Sequence, residues 1–101
     1  MIKIDITIPL FYNDGKPIEQ TKLNKVKREL LRQFRGLSIS NDSDGYWLNG
    51  DKEYNDINRI YTIITGDTVE ARSWITGYKS WLEHNLEQHD IFIVISKCEV
   101  I

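Results

Sequence analysis

The chain has 101 residues, 41% of them hydrophobic, and carries 13 Lys and Arg against 15 Asp and Glu, a formal net charge of −2. That length suits one domain with one core, and the apolar fraction argues against disorder. No apolar run approaches the roughly 20 residues that span a bilayer, the opening Met1-Ile2-Lys3-Ile4-Asp5 alternates unlike a signal peptide, and the single cysteine, Cys98, permits no internal disulfide. A cytoplasmic, non-membrane single domain spanning residues 1–101 is the expectation.

The elements follow in order. Ile2, Ile4, Ile6, Ile8 and Leu10 share one parity and Lys3, Asp5, Thr7 and Pro9 the other, which predicts a strand over 2–12. Asn13-Asp14-Gly15 makes a turn. Pro17 presets a first helical turn, and Leu23, Val26, Leu30 and Phe34 form one stripe of a helix over 19–35 that Gly36 stops. Residues 37–40 read as a second strand. Tyr46-Trp47-Leu48, Asn49-Gly50 and Asp51 to Tyr54 read as a small hairpin, and 57–65 as a third main strand. Asp67 and Glu70 resemble a capping box opening a second helix, whose core stripe is Ala71, Ile75, Tyr78, Leu82 and Leu86. Residues 91–95 form the last strand, continuing towards Val100.

This order predicts an α+β, ferredoxin-like βαββαβ sandwich: an antiparallel sheet in spatial order 4-1-3-2 with two helices on one face, plus the extra hairpin. One sheet face then meets solvent. The last strand is apolar at both parities, and the third has Ile60 and Ile64 on one face and Ile57, Tyr61 and Ile63 on the other. The outer face is therefore partly apolar. It serves as a dimer interface or ligand platform, or else the hairpin with Tyr46, Trp47 and Tyr54 folds over it.

The net charge conceals a split. Residues 16–35 hold seven bases against Glu19 and Glu29, a sum of +5, whereas 36–101 hold five bases against eleven acids, a sum of −6. Lys22, Lys25, Arg28, Arg32 and Arg35 lie close to one helical stripe that could track phosphates. The pI of 5.6 and Asp5 in the first strand oppose a general nucleic-acid binder. Trp74 and Trp81, with Tyr78 between them, border the second helix's core stripe, either packing at the sheet edge or meeting a protein partner.

Chemistry-bearing motifs are scarce. No phosphate-binding glycine loop and no nucleophile elbow is present. His84 and His89 are five apart, unlike a helical metal pair, although Glu83, Glu87 and Asp90 nearby would allow a weak divalent site. Asp44 or Asp56 beside Tyr46 and Tyr54 would make a polar cup with aromatic walls. No catalytic residue, metal or cofactor is assigned.

The stretch Ile-Pro-Leu-Phe-Tyr-Asn-Asp-Gly-Lys-Pro-Ile (8–18), Gly45-Tyr46-Trp47 with Gly50, Tyr54-Asn55-Asp56, and Gln88 resemble a group of small uncharacterised bacterial proteins of ferredoxin-like type. The resemblance implies that fold and no activity. Acylphosphatases of this fold carry an arginine-bearing glycine loop where Asn13-Asp14-Gly15-Lys16 stands here. The dimeric α+β barrel enzymes stay compatible, because their dimers bury the open sheet face. The leading expectation is a non-enzymatic homodimeric binding or regulatory module. It uses the open face and the hairpin, with Tyr46, Trp47, Tyr54, Tyr61, Asp44 and Asp56 as binding residues. A small enzyme or ligand-binding domain, with Asp44, Asp56 or His89 as polar groups, and nucleic-acid or nucleotide binding through the basic helix are the alternatives.

Overall fold

A computed structural model describes residues 1–101. The elements are β1 (Ile2–Pro9), α1 (Gln20–Phe34), β2 (Ser38–Ile39), β3 (Ser43–Asn49), β4 (Lys52–Thr65), α2 (Val69–Asn85) and β5 (Ile93–Lys97). The strands form one antiparallel sheet in the order β2-β4-β1-β5, with β3 also on β4 beyond β2. This is the expected strand–helix order and strand arrangement.

The core follows from the parity of β1. Ile2, Ile4, Ile6 and Ile8 are wholly buried and meet Leu23, Val26 and Leu30 of α1 and Ile75, Tyr78 and Leu82 of α2. Both helices thus bury their stripes on the same sheet face. Tyr61, expected as a contact on the open face, belongs to this core at 2% exposure, because it pairs with Ile6 and shares its inward parity.

Local details differ from the expectations for identifiable reasons. Pro17 does not open α1; it bridges to Phe11, closing a short loop around the Asn13-Asp14-Gly15 turn. The left-handed residue at the end of α1 is Arg35, at φ 68°, not Gly36. The cap of α2 is the Thr68 hydroxyl, which accepts from the Ala71 amide, while Asp67 pairs with Arg72. The hairpin turns at Gly50-Asp51, with Gly50 at φ 64°, as a two-residue hairpin with glycine first requires. β5 begins at Ile93, because Ile91 turns into the core and its amide is taken by Glu83.

The hairpin itself is not an appendage. β4 runs unbroken for 14 residues, and β3 pairs with its first half, Ser43 opposite Asn58 through Asn49 opposite Lys52. It therefore prolongs the sheet and does not fold over the open face.

Trp74, Tyr78 and Trp81 also resolve. Their rings form a ladder, Trp74 to Tyr78 at 4.5 Å and Tyr78 to Trp81 at 5.4 Å. Phe34 of α1 meets Trp74 edge-on at 5.4 Å, and Lys25 lies 5.4 Å over Trp81. The ladder packs these rings within the helix layer, with Tyr78 buried and Trp74 and Trp81 half-buried. The Tyr78 hydroxyl is buried without a hydrogen-bond partner, and burial pushes its ionisation well above the usual phenol range.

Two substitutions check this core in urea denaturation. Ile4→Ala removes a wholly buried side chain and is expected to cost about 2–5 kcal/mol. Tyr78→Phe removes the unsatisfied hydroxyl and is expected to stabilise by about 1 kcal/mol. A loss of stability on Tyr78→Phe would mean that the hydroxyl has a partner.

Candidate functional site

The site arises where β1 ends. Pro9 pairs with Asn58, and the Leu10 amide makes a last bond to the Ile57 carbonyl before the chain turns away. β4 continues towards the hairpin tip, and from Lys52 to Asp56 its strand partner is β3 alone. The corner so opened is a groove of about 1050 Å³, at the upper end of the usual size range for small-molecule sites. Its walls are the end of β1 with the following turn, the outer face of the hairpin, and residues 88–92 leading into β5.

Strand parity decides which hairpin side chains reach the groove. Trp47 and Tyr54 are cross-strand partners on the outer parity, and their rings stack at 5.5 Å with 12° between planes. Such a pair braces itself and presents aromatic surface to a ligand. Asp56 has the same parity, two residues on, and faces Gly45 across the ladder. A side chain at position 45 would bring its Cβ within 2.9 Å of the Asn58 amide. Glycine there lets the Asn58 side chain lie close over the β3 backbone. Asn55 reaches back to bond the Gly45 carbonyl at 3.3 Å. Asp44 and Tyr46 have the opposite parity, opposite Ile57 and Asn55, and lie outside the groove. Of the six residues expected to bind, Trp47, Tyr54 and Asp56 come together; Asp44, Tyr46 and Tyr61 do not join them.

The third wall is held from α2. Lys79 bonds Glu83 at 2.9 Å, Asp90 at 2.5 Å and the Ile91 carbonyl at 2.5 Å. Glu83 in turn accepts the Ile91 amide at 3.0 Å. The Lys79 ammonium holds the Asp90 carboxyl below the usual carboxylate range, and Asp90 raises Lys79. Because the folded Asp90 value is depressed, the pair contributes above the unfolded value and is lost as pH falls through the folded one. The clamp is thus intact at neutral pH and loosens only below about pH 4.

Beside the groove, a smaller polar recess surrounds Tyr12. The Tyr12 hydroxyl donates to Glu19 and accepts from Lys22 at 2.7 Å, and Lys22 also bonds the Asn85 carbonyl at 3.0 Å. This strut joins the turn after β1 to both helices. Burial and the Glu19 hydrogen bond raise Tyr12, and that same bond is the main cause lowering Glu19. The expected phosphate stripe is thereby reduced. Lys22 is engaged in the strut and Lys25 with Glu29 and Trp81, leaving Arg28, Arg32 and Arg35 outside the chain's ion pairs and outside the groove. No three His, Cys, Asp or Glu side chains gather as a metal set. The divalent site considered for His84, His89, Glu83, Glu87 and Asp90 is not assembled, since Glu83 and Asp90 serve Lys79. No helix is long and apolar enough to cross a membrane.

No family model and no curated protein matches the chain. Solved structures do. A phage SAM lyase in complex with S-methyl-5'-thioadenosine superposes with a TM-score of 0.71 at 12% identity, over 95% of this chain and 80% of that one. The phage SAM lyase in its apo state gives 0.65 at 14% identity, over 94% and 78%. A CutA1 variant from Pyrococcus horikoshii OT3 gives 0.57 at 12% identity, over 100% and 86%. The chain has the ferredoxin-like fold.

Sequence reasoning missed Phe11, Asn58 and Phe92 as groove residues. The parity of Asn58 follows from the register of β4, which runs unbroken from 52 to 65 and sets Asn58 with Tyr54 and Asp56. The clamp is tested by amide exchange. Glu83→Ala should speed exchange at Ile91 about tenfold, the equivalent of ~1.4 kcal/mol, with Ile6 unchanged; equal protection at Ile91 would show that the clamp does not hold the wall.

Proposed function

We propose that this protein is a non-enzymatic homodimeric binding module, with the open sheet face as the contact between copies and the groove as the ligand site. One observation carries the reading: the hairpin runs outward and leaves the face bare. Phe92 is 67% exposed and Val94 44%, and Ile60 and Ile64 lie on the same face on the other side of β1. An apolar surface of this kind, continuous with a groove, is a common mark of an interaction site. The polar strip across its middle is partly self-paired, since the Thr62 hydroxyl donates to Asp5 at 2.6 Å and Lys3 lies 3.6 Å from the same carboxylate. A two-fold contact would stack two such faces as a sheet sandwich.

Binding rather than catalysis is favoured by the groove's titratable groups. Asp56 and His89 both line it, and no hydrogen bond links either to a nucleophile or to a second acid or base. A ligand with a planar ring suits the Trp47–Tyr54 wall. The fold shared with the phage SAM lyase bound to S-methyl-5'-thioadenosine makes a nucleoside of that type the first probe to use.

Sedimentation equilibrium is expected to give twice the 11.9 kDa chain mass, and Val94→Lys, which places two like charges across the two-fold axis, should return the monomer with unchanged circular dichroism. A monomer at every concentration, or a dimer indifferent to Val94→Lys, would contradict the homodimer.

A further inference from the structure

We infer that the groove selects an organic cation bearing an aromatic or alkyl body, which deepens the binding reading above and rests on it. Two carboxylates, Asp56 and Asp90, line the groove, and no lysine or arginine does. Asp90 is matched by Lys79 at 2.5 Å. Asp56 belongs to none of the chain's ion pairs, although it is half-buried. One carboxylate without an ion-pair partner therefore lines a half-buried corner beside a stacked aromatic pair, where an opposite charge is attracted more strongly than in open water.

The ring surface adds to that charge. A cation over an indole or phenol face gains about 0.5–2 kcal/mol from the ring quadrupole. The chain itself supplies an example: the Lys52 ammonium lies 5.0 Å from the Tyr54 ring centre, on the wall that the ligand would share. Lys52 is exposed and mobile enough by its length to be displaced. The surroundings reinforce the sign. Residues 41–58, which build the hairpin wall, carry Asp42, Asp44, Asp51, Glu53 and Asp56 against Lys52 alone, a sum of −4, and such a field draws cations and repels phosphates. A phosphate-bearing ligand finds no basic partner in the groove, which separates this site from the arginines of α1.

Isothermal titration of the intact protein with benzyltrimethylammonium, benzyl alcohol and benzoate tests the inference, since the three share a ring and differ in charge. Benzyltrimethylammonium should bind about tenfold more tightly than either of the others. Asp56→Asn, isosteric and at the protein surface, should remove most of that advantage and leave benzyl alcohol unchanged; Trp47→Ala should weaken all three. Equal affinity for benzoate, or an Asp56→Asn variant that binds the cation as well as the parent, would overturn the charge selection and leave the groove as a neutral site. Binding of none of the three would overturn the groove as a ligand site and the inference with it.

Discussion

The unequal lengths of β1 and β4 are the constraint on which the rest of the structure depends. β1 offers eight residues to the ladder and β4 fourteen. The shared part, from Ile2 opposite Thr65 to Pro9 opposite Asn58, carries the core on its inner face. The surplus of β4 has nowhere to pair except with β3, so it leaves the body as a two-stranded ribbon. The Leu10 amide, one residue past Pro9, makes the last bond to β4 before the chain turns away. The groove is the angle between the ribbon and the strand that stopped, and the bare outer face is the consequence of a ribbon that extends the sheet instead of covering it.

Charge is distributed to match. The basic segment 16–35 lies on the helix layer, where Lys22 and Lys25 are taken up by internal struts and rings. The acids concentrate on the ribbon that forms one wall of the groove. A net charge of −2 therefore describes neither surface. Lys79 is the exception that links the layers: it is rooted in α2 and neutralises Asp90 at the groove wall. Asp56 is left as the groove's unmatched carboxylate.

Much of this was legible in the residues themselves. The alternation of 2–8 and the stripes of both helices fixed the layers, because burial of a one-sided pattern admits few arrangements. The two-sided apolarity of 91–95 required apolar side chains outside, either Phe92 and Val94 or the isoleucines, and the register with β1 puts Phe92 and Val94 there. What was not legible is where a strand continues and what a side chain meets across it. Gly45 and Gly50 and the run of acids suggested a separate hairpin, whereas hydrogen bonding to β3 carries β4 straight through 52–65. Parity relative to that unbroken strand then removed Tyr46, Asp44 and Tyr61 from the site and kept Trp47, Tyr54 and Asp56. The tryptophans of α2 could not be assigned from periodicity, because their partners, Phe34 and Lys25, lie on another helix.

The central claim is that the outer sheet face, and not the helix layer, is the surface through which copies of this chain meet. Methyl-resolved NMR over a dilution series measures it directly. The methyl signals of Ile60, Ile64 and Val94 should move with protein concentration, while those of Ile4 and Ile6 on the inner face of β1 stay fixed. Concentration-independent signals at Ile60, Ile64 and Val94 would contradict the account.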